Sequence, residues 1–128
     1  MEKIVEVLGS PHGIKGNTGV LSSQVLLAAE QAGAVVTRLS LSDYEIKPCL
    51  ACDTCHKTGR CAQQDDFEKV KATLQNADGI VLASPNYISN VSAQMKALLD
   101  RCCGPLHRNA WDGKYGAVSY THLTLPTN

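Results

Sequence analysis

Three short apolar runs, each followed by a polar loop and then by a segment of helical periodicity, constrain the fold of this chain more than any other feature. The runs occupy residues 4–8, 34–39 and 80–83. Apolar residues recur at helical spacing after them: Leu21, Val25, Ala28 and Ala29, then Phe67, Val70 and Leu74, then Met95, Leu98, Leu99 and Cys102. With a fourth strand expected at Tyr115–Tyr120, this alternation predicts an α/β domain with a doubly wound parallel sheet covered by helices on both faces.

Helix boundaries follow from local signals. The first helix is expected from about Thr18 to a C-terminal cap at Gly33. The second is predicted to begin at Asp65, where Glu68 lies at capping-box spacing. Pro105 lies just beyond the third helix and is expected to mark its end.

Composition limits the classes of partner and compartment. The 128 residues suffice for one domain, and twelve basic side chains balance twelve acidic ones, so neither nucleic acid nor an acidic membrane surface is an expected partner. No segment approaches the roughly 18 apolar residues of a membrane span, and no secretory signal opens the sequence. We therefore expect a soluble cytoplasmic protein, in which six cysteines indicate metal or redox chemistry rather than disulfides.

The loop at residues 9–18 joins the first strand to the first helix, the place where open α/β sheets bind phosphate. Ser10, Asn17 and Thr18 supply hydroxyl and amide donors, and His12 or Lys15 supplies positive charge. The loop lacks both the Walker lysine and the Gly-x-Gly-x-x-Gly fingerprint. The alternative interpretation is a solvent-exposed glycine turn with a capping Asn or Thr.

A second loop, Ser84-Pro85-Asn86-Tyr87, follows the third apolar run and is expected in the same crevice. Together the two loops resemble the signatures of the NADPH-dependent FMN reductase family, Gly-Ser-Pro-Arg…Gly-Asn-Thr and Ser-Pro-x-Tyr. His12 stands where that family usually has arginine, and Asn86 where it more often has an aliphatic residue. Without the resemblance, Tyr87 would be interpreted as an interface or core tyrosine.

The resemblance implies a flavodoxin-like fold with strand order 2-1-3-4-5, NAD(P)H as co-substrate and, in the full-length protein, a homo-oligomer with the flavin at a subunit interface. It implies that FMN is bound by Ser10, His12, Lys15, Asn17 and Thr18 around the phosphate and by Pro85, Asn86, Tyr87 and Ile88 along the ring and ribityl chain. No triad or paired-carboxylate catalytic site is expected, because a bound flavin carries the chemistry itself.

Four cysteines, Cys49, Cys52, Cys55 and Cys61, are spaced C-x2-C-x2-C-x5-C within residues 48–62, which we expect to form a wrapped loop. Four thiolates are the ligand set of a 4Fe–4S cluster, and the pattern resembles the iron–sulfur flavoprotein branch of the same family. Two alternatives are a zinc ion, and reduced thiols or a redox pair at Cys52 and Cys55.

Three other residues with side chains that can bind metal lie near this motif or further along the chain, and none of them is expected to be a ligand. His56 lies inside the motif and is interpreted as an exposed loop histidine. Cys102 is assigned to the core, and its neighbour Cys103 is interpreted as a bystander.

Residues 118–127 resemble the translation of a transposon-end adapter used to prepare sequencing libraries. On this interpretation, residues 1–117 form an incomplete flavodoxin-like domain that is truncated after about the fourth strand, and residues 118–128 are a non-native tail. A third flavin loop of the family, after the fourth strand, would then fall in that tail.

The functional hypothesis is an FMN-dependent oxidoreductase that takes hydride from NAD(P)H and reduces a small acceptor or a bound iron–sulfur cluster. One alternative is an electron-transfer flavoprotein reduced by a protein donor such as ferredoxin. Another is a non-enzymatic metal or thiol redox sensor built around the cysteines.

Overall fold

The structure, a computed structural model, describes residues 1–120. Its elements are β1 (Lys3–Leu8), α1 (Asn17–Gln31), β2 (Val35–Ser40), α2 (Thr54–Thr58), α3 (Phe67–Gln75), β3 (Gly79–Ser84), α4 (Ala93–Arg101), α5 (Cys103–His107) and β4 (Tyr115–Tyr120), with 3-10 turns at Gly13–Lys15 and Leu41–Asp43. The four strands are parallel and lie in the order β2-β1-β3-β4. This confirms the α/β class, the fourth strand and the predicted order as far as the sheet extends.

The hydrophobic core lies on the face of the sheet that carries Val5 and Val7. Because side chains alternate along a strand, these residues share that face with Leu39 of β2 and Ile80 of β3. The helical residues that pack on them are Phe67, Val70, Leu74, Met95, Leu98 and Cys102. The apolar stripes predicted for α3 and α4 are therefore confirmed.

Helix α1 covers the opposite face of the sheet with a surface that the sequence pattern did not predict. Leu21 and Val25 of the expected apolar stripe are 54% and 41% exposed, whereas Ser22 and Leu26 are buried. The reason is a buried ion pair beneath the helix: the Glu6 carboxylate accepts two hydrogen bonds from Arg38, at 2.8 and 3.0 Å. Since Arg38 needs further acceptors, α1 turns its serines toward the sheet, and Ser22 Oγ lies 3.0 Å from Nη2.

Two local predictions are corrected, and a third is extended. The cysteine segment contains the five-residue helix α2 and is not a continuous loop. Helix α4 ends before Pro105, as predicted, and Pro105 lies in the first turn of the further short helix α5, where no backbone N–H is needed. The capping box is not formed, because the Glu68 carboxylate accepts from the Cys61 N–H at 2.9 Å while Asp65 accepts from the Phe67 N–H at 3.1 Å.

Strand β4 includes residues 118–120, so the sheet extends into the segment interpreted as adapter-derived. The rest of that segment lies outside the described residues, and the boundary near residue 117 stays a prediction. Within residues 1–120, none of the helices has the length and apolar character needed to cross a bilayer.

Candidate functional site

The loop between β1 and α1 folds tightly around the start of the helix. Gly16 precedes α1, and no side chain caps the helix, so its first-turn amides keep their free donors. A Cβ at Gly16 would lie 2.9 Å from the His12 Cβ, and one at Gly19 would lie 2.7 Å from the Ile14 Cα. Glycine is therefore required at both positions, and the open helix end is an intrinsic anion site.

The side chains predicted to bind phosphate divide into two groups around this helix end. Ser10 and Thr18 are buried, and the Ser10 Oγ accepts a hydrogen bond from the His12 N–H at 3.2 Å. His12, Lys15 and Asn17 are exposed to solvent. The structure thus places an imidazole, an ammonium group and an amide beside a rigid set of donors.

The loop after β3 ends in a tight two-residue turn. Tyr87 and Asn90 exchange backbone hydrogen bonds of 2.8 and 3.2 Å, and the residues between them, Ile88 and Ser89, have φ of +50° and +60°. Turns of this kind favour Asn-Gly, and a β-branched residue at positive φ is strained. Ile88 is 98% exposed, so no packing of its side chain offsets that strain.

Pro85, Asn86 and Tyr87 lie along the same loop. Pro85 and Asn86 are half-buried, and the Asn86 Oδ1 accepts a hydrogen bond from the Tyr120 hydroxyl at 3.1 Å. Tyr87 is 42% exposed, which excludes the alternative interpretation of a core tyrosine. The aromatic ring is thus available at the surface of this loop.

Ser92 connects the two loops. Its buried hydroxyl donates to the Gly9 carbonyl at 2.6 Å and accepts from the Met95 N–H at 3.2 Å, and its own N–H donates to the Ser84 Oγ at 2.9 Å. Strands β1 and β3 are neighbours whose carboxyl ends lie at one edge of the sheet. The loop at residues 9–16 and the loop at residues 84–90 therefore lie side by side at the edge where open α/β sheets bind ligands.

All four cysteines of the C-x2-C-x2-C-x5-C motif line one cavity of about 290 Å³. Cys49 and Cys52 are exposed, whereas Cys55 and Cys61 are half-buried. Cys103, which was expected to be a bystander, lines the same cavity. The four motif residues thus line a common cavity.

Arg101 holds both ends of this cysteine segment. Its guanidinium forms a fork on the Asp65 carboxylate at 2.8 and 2.9 Å and donates to the Lys47 carbonyl at 2.7 Å. It also donates to the Cys61 Sγ at 3.2 Å and stacks over the Phe67 ring, 4.7 Å from its centroid. Because the Arg101 side chain is 1% exposed, its positive charge acts on Cys61 with little screening.

The protonation of this region follows from its contacts. Hydrogen bonding to the Thr54 side chain and amide lowers the pKa of Cys52, whereas burial, and then the neighbouring Cys103, raises the pKa of Cys55. Hydrogen bonds from Arg101 hold the pKa of Asp65 well below its usual range. Burial raises the pKa of Cys102 to about 12, which fits its assignment to the core.

The separation of the sulfurs distinguishes between metal centres. Four thiolates bound to one zinc ion at about 2.3 Å lie only about 3.8 Å apart. Within residues 1–120, one group of three ligand atoms from His, Cys, Asp or Glu lies within 4.8 Å of one another, and it belongs to His56, Cys103 and His107. No three sulfurs of the motif cysteines therefore lie as close together as zinc binding requires. In a 4Fe–4S cluster each thiolate binds a different iron, which holds the sulfurs further apart. The four sulfurs therefore line one cavity without lying at the spacing that a single zinc ion requires.

Comparison with known proteins identifies the family of this chain. The family model described as NADPH-dependent FMN reductase matches residues 2–124. The chain belongs to the NADPH-dependent FMN reductase family. The family resemblance drawn from the two loops is thereby confirmed.

Within the FMN reductase family, the curated relatives that are similar to this chain include proteins described as iron–sulfur flavoproteins. One from Archaeoglobus fulgidus is 39% identical over 126 residues, which are 97% of this chain and 57% of the relative. Another, from Methanocaldococcus jannaschii, is 39% identical over 99 residues, which are 77% of this chain and 51% of the relative. The chain thus spans about half the length of these relatives.

The fold of the family is also found in solved structures. An FMN-dependent NADH-azoreductase from Bacillus anthracis, solved in complex with FMN, matches with a TM-score of 0.69 at 13% identity. The match covers all of this chain (100%) and 72% of the azoreductase. At this identity the likeness establishes the flavodoxin-like fold.

Two residues that support the candidate site of this FMN reductase family chain, Ser92 and Arg101, were not predicted as site residues. Ser92 precedes α4 and has the residue type of a helix N-cap, so its role in the helix could have been found, although not its contact with Gly9. Arg101 offered no such signal, because its partners Asp65 and Cys61 lie 36 and 40 residues away in the sequence.

Proposed function

We propose that this chain forms the FMN-binding part of an oxidoreductase that accepts hydride from NAD(P)H and passes electrons to a small acceptor or to a cluster held by its cysteines. The observation that carries the proposal is the joining of the two loops by Ser92 at one edge of the sheet. Family membership supports flavin as the cofactor. When bound, FMN supplies both the acceptance of hydride and the transfer of single electrons.

The α1 end of the crevice fits a phosphate monoester. In the proposal, the first-turn amides of α1 and the Thr18 hydroxyl hold the phosphate oxygens, and Ser10 keeps the loop in shape through its bond to the His12 N–H. His12, Lys15 and Asn17 complete the site from the solvent side. Along the second loop, Pro85, Asn86, Tyr87 and Ile88 are the residues assigned to the ring and ribityl chain.

The four cysteines are the proposed ligands of a 4Fe–4S cluster. Their sulfurs share one cavity without converging to the spacing of a single ion. Arg101 donates a hydrogen bond to the Cys61 Sγ and holds the segment through its paired bonds to Asp65.

Flavin retention tests the first part of the proposal. The chain is mixed with excess FMN and desalted, and the bound flavin is then measured by absorbance. Thr18→Val, which removes one buried hydroxyl from the site, should weaken FMN binding about tenfold, because a hydrogen bond to a charged group contributes about 1.5 kcal/mol. Thr73→Val, at a half-buried position of α3 outside both loops, is the matched control. Complete loss of FMN from the unmodified chain on desalting would refute the proposal.

Anaerobic reduction distinguishes the enzyme from an electron-transfer protein. Rapid bleaching of the bound flavin by NADPH or NADH is the expected result for the oxidoreductase. The alternative is reduction by a protein donor such as ferredoxin, and it is favoured by the exposure of Cys49 and Cys52 at the mouth of the cavity. Bleaching by reduced ferredoxin but by neither nicotinamide would establish that alternative.

We also propose a homo-oligomer for the full-length protein. Four apolar side chains on α1, at Val20, Leu21, Val25 and Leu27, are between 41% and 57% exposed. Contiguous exposed apolar residues on one helix are a feature of protein interfaces. Light scattering of the full-length protein should give a mass of at least two chains, and a Leu21→Glu variant should shift it toward the monomer.

A further inference from the structure

A second set of metal-ligating side chains lies next to the four-cysteine motif. Within the described part of the chain, His56, Cys103 and His107 are the one group whose ligand atoms all lie within 4.8 Å of one another. The His56 Nε2 lies 3.2 Å from the Cys103 Sγ, and the His56 and His107 ring centroids are 4.3 Å apart. None of the four motif cysteines belongs to this group.

The backbone brings these three residues together from two helices. Cys103 and His107 are four residues apart on α5 and therefore lie on the same face of that helix. His56 is in α2, which packs directly on α5 at Gly104: a Cβ at that position would lie 2.9 Å from the Cys55 Cβ. Arg108 adds a hydrogen bond of 3.2 Å from its Nη2 to the His56 carbonyl.

The chemistry of the donors indicates which ions fit. Two imidazoles and one thiolate are borderline ligands that suit Zn²⁺, at bond lengths of about 2.0–2.3 Å, and do not suit Mg²⁺ or Ca²⁺. The Asp53 carboxylate lies 3.8 Å from the His56 Nδ1. This separation is longer than a hydrogen bond, so the carboxylate acts through its negative charge, which favours a cation bound to the same imidazole.

We propose that His56, Cys103 and His107 form a second metal site, separate from the four-cysteine motif, which binds Zn²⁺ or a similar divalent transition ion with three protein ligands and one position open to solvent. All three residues are exposed, so the ion enters without a change in fold. The bound ion joins α2 to α5 and occupies the Cys103 thiol, which otherwise faces the cavity of the motif cysteines.

Metal titration of the reduced, chelator-treated full chain tests this site. Co²⁺ is added anaerobically, the thiolate-to-metal absorption is recorded, and Zn²⁺ is then used to displace the Co²⁺. Cys103→Ser and His107→Gln should each remove one equivalent of bound ion from the total that the unmodified chain binds. Cys49→Ser/Cys52→Ser should keep that equivalent, and Leu106→Ala, a neighbouring non-ligand on α5, is the matched control.

Two further measurements do not depend on the stability of any ligand variant. X-ray absorption of zinc-loaded Cys49→Ser/Cys52→Ser should show one sulfur and two imidazole ligands. Asp53→Asn, at a left-handed position that Asn tolerates, should weaken Zn²⁺ binding about tenfold at unchanged stoichiometry. Loss of all bound ion in Cys49→Ser/Cys52→Ser, or an unchanged count in Cys103→Ser, would overturn the proposal.

Discussion

Arg101 shows how much of the cysteine site depends on a residue that is not a ligand. It contacts Lys47 before the first cysteine, Cys61 at the last, and Asp65 beyond it. The Asp65 side chain is fully buried, so water cannot solvate either charge when its partner is removed. Removal of one member therefore leaves an uncompensated buried charge, which is costly.

Arg101→Met tests this dependence through stability. The variant keeps most of the side-chain volume but leaves Asp65 unpaired, so the free energy of unfolding should fall by about 3–5 kcal/mol in urea titrations. The matched control is Asp100→Asn, which breaks the exposed Lys96–Asp100 pair and should cost less than about 0.5 kcal/mol. Equal effects of the two variants would contradict this account of the buried pair.

The dependence of stability on acid pH should depend on the Asp65 carboxylate. The pKa of Asp65 is lowered in the folded chain, whereas in the unfolded chain it returns to about 3.9. The pair therefore contributes its full stability above about pH 5 and loses it as the pH falls through the folded-state pKa. Urea unfolding at several pH values from 5 to 2 should show a shallower loss of stability in Asp65→Asn than in the unmodified chain. Parallel slopes would refute this assignment.

At the residue scale, the sequence indicated which side chains could bind a cofactor or metal, but not which distant residues those side chains contact. The cysteine spacing and the loop at residues 9–18 are local patterns, which depend on neighbours along the chain. The contacts of Ser92 with Gly9 and of Arg101 with Cys61 span 83 and 40 residues, and no local pattern encodes them. Cys103 was interpreted as a bystander and His107 was not predicted as a ligand, because the helix α5 that carries both has only five residues and leaves no periodic pattern in the sequence.

At the element scale, the predictions succeeded where apolar burial decides the orientation of a helix. Helices α3 and α4 pack on Val5, Val7 and Ile80, so their apolar residues face the sheet. Helix α1 packs over the Glu6–Arg38 pair, where hydrogen bonding outweighs apolar burial and turns the expected stripe outward. Periodicity alone could not reveal this, because it contains no information on the polar residue buried in the strand below.

The turn at Ile88 and Ser89 gives an element-scale prediction. Ile88→Asn replaces a strained, exposed side chain by one that tolerates positive φ, so the free energy of unfolding should rise by about 1 kcal/mol. Ile88→Val retains the β-branch and should leave stability unchanged in the same urea titration. Destabilisation by Ile88→Asn would show that the turn is not strained.

At the scale of the whole molecule, the two faces of the sheet are covered unequally. Helices α3 and α4 pack on one face, whereas α1 is the only helix among the described residues that covers the other. On β4, the side chains of Tyr115 and Val118 are more than 70% exposed. An exposed strand edge and a thin helical layer reduce the apolar area buried on folding.

We therefore expect marginal stability for this chain in the absence of added flavin and metal. Thermal unfolding followed by circular dichroism should give a midpoint within or below the usual mesophile range. A cooperative transition well above about 65 °C would contradict this expectation. Addition of FMN should raise the midpoint, since a ligand that binds only the folded chain stabilises it by mass action.

The close approach of α5 to α2 at Gly104 restricts which substitutions this chain can accept. A methyl group there would lie 2.9 Å from the Cys55 Cβ and 3.3 Å from its Sγ, so even alanine must push one helix away from the other. Mutational scanning should therefore find position 104 intolerant, although glycine offers no ligand atom of its own. Such an intolerance would resemble that of a catalytic residue while arising only from the volume that the residue leaves empty.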